Sequence, residues 1–74
     1  MVHVAYDKDT QKILAFIVTN DEINNEEVFA NFDNYDVVKT DIQPPFSQYK
    51  KYTVIFDKEG KVVGYEIKEN ENNE

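Results

Sequence analysis

The sequence has no cysteine, no tryptophan and no arginine; all eight of its basic residues are lysine. Without thiols, a disulfide-stapled secreted scaffold and a cysteine-built zinc site are both excluded. Without arginine, the chain lacks the planar, forked donor that captures phosphate or carboxylate bidentately. Glycine is nearly absent as well, with Gly60 and Gly64 alone, so no glycine-rich phosphate loop exists. Nucleophilic catalysis has little material. Ser47 is the single serine and has no Gly-x-Ser-x-Gly context, and His3 is the single histidine. His3 falls in the first expected strand, where a lone histidine reads as a packing or surface residue rather than a base. No run approaches the roughly 20 apolar residues of a membrane span. Met1-Val2-His3-Val4 shows no basic leader before an apolar stretch. A calcium loop starting at Asp7 fails, because Lys12 stands where glycine is required and Val18 where the bidentate glutamate should be. Carboxyls are plentiful, but a chain this short is expected to have little room for a cleft between two of them. The reading is therefore non-enzymatic, with no cofactor, no metal and no membrane partner.

What is present is acid and aromatic. Seventy-four residues make one small domain, with 15 Asp and Glu against 8 Lys for a net charge of −7. That balance argues against binding nucleic acid through its phosphates. Five Phe and five Tyr supply the large apolar groups. A core of this size contributes only about 3–5 kcal/mol. The chain must either pack well around its aromatics or bury more surface by self-association.

The two ends of the chain echo each other. Tyr6-Asp7-Lys8-Asp9, a short loop, then Lys12-Ile13-Leu14-Ala15-Phe16 matches Phe56-Asp57-Lys58-Glu59, then Lys61-Val62-Val63-Gly64-Tyr65, with one residue fewer in the second loop. Each copy is an apolar run, a polar loop and a second apolar run, the pattern of a β-hairpin. Glu59-Gly60 offers the positive-φ position of a tight turn. The first loop has no glycine, and a wider turn held by aspartate side-chain bonds to the backbone fits it.

Between the hairpins, residues 20–34 contain no basic residue. Asn24 or Asn25 can cap a helix whose first turn holds Glu26 and Glu27, where the helix dipole favours negative charge. Val28, Phe29 and Phe32 share a face, and Asn34 can end the helix in a left-handed conformation. A short helix over about 25–33, docked through Phe29 and Phe32, is expected. Tyr35–Ile42 reads as a strand, Pro44-Pro45 as a break, and Gln48–Phe56 as a strand leading into the second hairpin. Residues 1–68 form the domain, and 69–74 read as a disordered acidic tail. The expected fold is α+β: a curved antiparallel sheet of about five strands, ordered β-β-α-β-β-β, with one helix packed on it. Ile13, Leu14, Phe16, Ile17 and Val18 are apolar at both strand parities, which implies cover on both faces. One helix covers one face; sheet curvature or a second subunit is needed for the other.

The charge is uneven. Residues 20–41 hold seven acids against Lys39 alone, a local −6, while residues 42–68 carry +2. Asp21, Glu22, Glu26, Glu27, Asp33 and Asp36 are the candidate partner-binding acids, against the plainer reading of a solvated face that keeps the protein soluble. Phe46, Tyr49 and Tyr52, beside Lys50-Lys51, form a second candidate contact in the proline loop, since tyrosine is enriched at interfaces.

The two hairpin motifs, with the Asn- and Lys-rich, arginine-free composition, resemble short proteins of bacteriophages and prophages of low-GC Gram-positive bacteria. The resemblance covers about a third of the chain. It implies a bacterial cytoplasmic or virion location and one of two roles. The first is a small acidic inhibitor that binds a host or defence protein; the second is a virion or tail component that works by homo-oligomerisation. It carries over no functional residue.

Overall fold

A computed structural model describes residues 1–67; the expected acidic tail lies outside them. Five antiparallel strands and one short helix are present: β1 (Val2–Asp7), β2 (Ile13–Val18), α1 (Asn25–Val28), β3 (Tyr35–Thr40), β4 (Tyr52–Phe56) and β5 (Val62–Ile67). They bear out the α+β reading. The strands form a three-stranded sheet ordered β2-β1-β3 and a two-stranded sheet β4-β5. A single bridge, Lys12 to Thr53, links the two, and the Val54 amide donates to the Gln11 carbonyl at 2.9 Å. On the far side the Tyr65 hydroxyl of β5 donates to the Ile42 carbonyl, just beyond β3, at 2.5 Å. The sheets thus curl around one core and are joined at one seam by backbone and at the other by a side chain, without closing.

The register explains what is buried. Val2, Val4 and Tyr6 lie opposite Val18, Phe16 and Ile13 on β2, and opposite Thr40, Val38 and Asp36 on β3. This face meets Val54 and Val62 of the second sheet, with Tyr6, Phe16, Val38, Tyr49, Tyr52, Phe56 and Tyr65 around them. The other face of β1 carries His3 and Ala5, level with Lys39 and Val37. It is crossed by residues 19–34: Phe29, 1% exposed, packs its ring 6.1 Å from Tyr35, and the Tyr35 hydroxyl donates to the Asn25 carbonyl. Cover on both faces therefore comes from within the chain. β2, for which cover on both faces was expected, is half-buried beyond Ile13, and its Val18 is exposed.

The sequence echo is a structural echo. In each hairpin the aspartate after the aromatic caps its own turn. Asp7 Oδ1 accepts from the Asp9 and Thr10 amides, and Asp57 Oδ1 from the Glu59 and Lys61 amides. Gly60 takes φ 84°, and Gln11 takes the matching left-handed position at φ 65°. Both ladders also slip by one residue at the same place, between Ala5 and Tyr6 and between Ile55 and Phe56. The extra residues, Leu14 and Val63, correspond in the echo. The equivalent aromatics Tyr6 and Phe56 meet, ring centres 5.2 Å apart, so the copies touch through matching residues.

Four local expectations are corrected. The helix is one turn, Asn25–Val28, rather than 25–33. Asn24 caps it as expected, but Asn31, Asp33 and Asn34 compete for backbone bonds and are weak helix formers, and no basic residue supports the last turn. Phe29 is buried, whereas Val28 is exposed. Asn34 is not left-handed; Gln11 and Gln48 are the non-glycine residues with positive φ. Gln48 at φ 61° turns the chain into a 3-10 turn, Tyr49–Lys51, so β4 begins at Tyr52 rather than Gln48.

Candidate functional site

The cover over β1 is fixed from below. The Asn24 side chain accepts from the Glu26 and Glu27 amides at 3.0 and 3.3 Å, which sets the first turn. Phe29 and Phe32 both pack on Tyr35, their rings 6.1 and 6.5 Å from it. At the entry, the N-terminal ammonium of Met1 donates to Asn20 Oδ1. At the exit, the Asn34 side-chain amide donates to Asp9 Oδ2 at 2.8 Å. Asp21, Glu22, Glu26, Glu27 and Asp33 are all exposed on this anchored segment.

Asp36 is placed apart from them. It lies on β3 opposite Tyr6, on the core side of the sheet, while the cover crosses the other side. Its carboxylate accepts from the Val37 amide at 3.0 Å, which occupies a backbone donor on β3, the outer strand of its sheet, and so blunts that edge against pairing. Burial, then the Asp36 charge nearby, raises the Tyr6 hydroxyl above its ordinary range. The fold uses Asp36 as it uses Asp7, Asp9 and Asp57, to hold its own chain.

The aromatic loop also divides. Tyr49 and Tyr52 are half-buried and flank the core. Tyr49 meets Phe16 edge-on, ring centres 5.2 Å apart. Phe46 lies against the same Phe16 ring at 5.8 Å yet is 73% exposed, the most exposed large apolar side chain among the described residues. Lys50 and Lys51 beside it are exposed.

A half-open cleft of about 470 Å³ lies where the cover meets the sheet, and Glu22 is the one carboxylate that lines it. Glu22, Ile23 and Asn25 line it from the cover, His3 from β1, and Val37, Val38 and Lys39 from β3. The sequence reading passed over this group. His3 is not a surface residue: it is 6% exposed on the covered face. No local pattern in the sequence marked His3 for burial; β1 is buried from Val2 to Ala5 on both faces. Among the described residues no helix is long and apolar enough to cross a membrane, and no three His, Asp or Glu side chains are grouped to hold a metal ion. No family model, curated protein or solved structure matches the chain.

Proposed function

We propose that the protein is a non-enzymatic binding module that recognises a basic protein partner through the acidic cover over β1. The observation that carries this reading is the anchoring of that cover. Asp21, Glu22, Glu26, Glu27 and Asp33 are exposed, while Phe29 beneath them is buried and Asn24 fixes the first turn. Charges on a fixed backbone are preorganised, so binding costs less ordering entropy than charges on a loose loop. They also steer a basic partner to the surface. The resemblance to phage and prophage proteins supports a bacterial host or defence protein as the partner. The test is capture from a Gram-positive host lysate with the wild type and with the pair Glu26→Lys, Glu27→Lys. The pair should lose the partner while keeping its circular dichroism and melting temperature, and wild-type capture should weaken with salt. A variant that folds and still captures the same partner refutes the reading.

A second reading, a virion component that self-associates, is favoured by the outer strand β5, where Val63 and Ile67 are exposed. Unpaired strand edges of this kind pair readily. A single monomer mass across the concentration range would remove it.

A further inference from the structure

The most informative feature outside the exposed acids is the buried histidine. Among the described residues the one side-chain polar atom that is both sealed from solvent and unpartnered is Thr53 Oγ1. His3, 6% exposed, is one of the residues that line the cleft between the cover and β3. An imidazole at the wall of an opening takes its hydrogen bonds from what enters it, water in the free protein or a polar group of a bound partner. The opening is walled by Ile23 and Val37 and rimmed by Glu22 and Asn25.

We infer that this cleft takes an arginine side chain of the partner, the anchor of the binding surface proposed above. The inference rests on that reading and names its chemistry. The apolar walls suit the three-carbon stem, which buries readily behind a charged head. Glu22 offers a carboxylate for the guanidinium, and the Asn25 side-chain oxygen can accept one of its remaining N–H groups. The surrounding field has the matching sign, since Asp21, Glu22, Glu26 and Glu27 share the cover. Lys39, also on the rim, opposes a cation and would favour an anion. It therefore discriminates between the two ligand classes: replacing it should tighten the binding of a cation and weaken that of an anion. A metal ion is disfavoured by the same lysine and by the lack of a third carboxylate or imidazole in the group.

The test is a titration of the full chain with N-acetyl-arginine amide, followed by amide shifts in nuclear magnetic resonance, with N-acetyl-citrulline amide as the uncharged match. Shifts should concentrate at His3, at residues 22–25 and at residues 37–39, and citrulline should cause none. Glu22→Gln should weaken binding at least threefold, and Lys39→Gln should tighten it. Absent shifts, equal shifts with citrulline, or weaker binding by Lys39→Gln would overturn the assignment. The two readings fail separately. Partner capture that is lost with Glu26→Lys, Glu27→Lys but unaffected by Glu22→Gln removes the cleft and leaves the acidic surface. Arginine shifts in the cleft with capture surviving the double reversal do the opposite.

Discussion

The two hairpins are built to one pattern and live in different surroundings. Each has an aspartate that caps its own turn, a left-handed residue before the return strand and a one-residue slip in the ladder. Yet β1 is buried over four consecutive residues, Val2 to Ala5, while β5 exposes Val63 and Ile67. The turn is set by local bonds that any copy can make; burial is set by neighbours. β1 has β3 alongside it and the cover across its outer face, and the β4-β5 pair has neither. The comparison separates what a hairpin sequence specifies from what its position in the fold adds.

The largest expected effect comes from removing that positional difference. Phe29→Ala takes the buried ring out of the cover and leaves the outer face of β1 as bare as that of β4-β5. A Phe-to-Ala change in a core costs about 3–5 kcal/mol, as much as the whole stability of a domain this small. Urea unfolding should find the variant largely unfolded in buffer at 25 °C. A cooperative transition with its midpoint near that of the wild type would mean the cover is not integral to the fold.

Next in size is a matched pair. Ile13 is 1% exposed and Val63 is 54% exposed, one position further along in the echo. Ile13→Ala should cost about 2–5 kcal/mol. Val63→Ala, at the ladder slip on the open strand, should change stability by less than about 0.5 kcal/mol. Comparable losses at both sites would show that β5 is covered in solution, and would turn attention to the self-associating reading.

These contrasts also show what was legible from the sequence. The hairpins could be read because Asp7, Asp57 and Gly60 act within a few residues of themselves. The short helix was legible in its start, where Asn24 caps, and not in its end, where Asn31 and Asp33 override the spacing of Phe29 and Phe32. The division of the strands into two joined sheets rests on one bridge between Lys12 and Thr53, 41 positions apart, and no local pattern encodes it. The cleft was hidden for the same reason. His3, Glu22 and Lys39 come from three separate stretches, and only the folded cover brings them together. Charge along the chain singled out residues 20–41 but could not separate Asp36, which the fold uses for its own edge, from the exposed acids of the cover.

The left-handed turn residues give a smaller effect of opposite sign in the two copies. A Cβ on Gly60 would meet nothing within 4 Å, so Gly60→Ala tests backbone strain alone. Left-handed geometry costs a non-glycine residue about 1–2 kcal/mol, and the second hairpin should lose about 1 kcal/mol. Gln11 already bears that strain at φ 65°. Gln11→Gly should relieve it, offset in part by the extra freedom of glycine in the unfolded chain, for a net gain below about 1 kcal/mol. Thermal melts of the two variants should move in opposite directions. A loss at both sites would mean the Gln11 side chain does something in the fold that its turn geometry does not require.

The smallest effect should be shared by the copies. The Thr10 and Asp9 amides hold the Asp7 carboxyl below the usual aspartate range, and the Lys61 amide, followed by that of Glu59 and the Lys61 charge, does so for Asp57. A carboxyl depressed in the folded state adds stability above its unfolded pKa of about 4, and that contribution is lost as pH falls through the folded value. Melting temperature should therefore drop on acidification below about pH 4. Asp7→Asn and Asp57→Asn should each flatten the drop, because an amide oxygen still accepts the turn bonds but no longer titrates. Carboxyl carbon shifts followed against pH should place both aspartates below the ordinary aspartate value of about 3.9. If Asp7 alone is depressed, the turns differ in strength despite their common pattern. The wider, glycine-free loop would then depend on its aspartate more heavily than the loop in which Gly60 already supplies the bend.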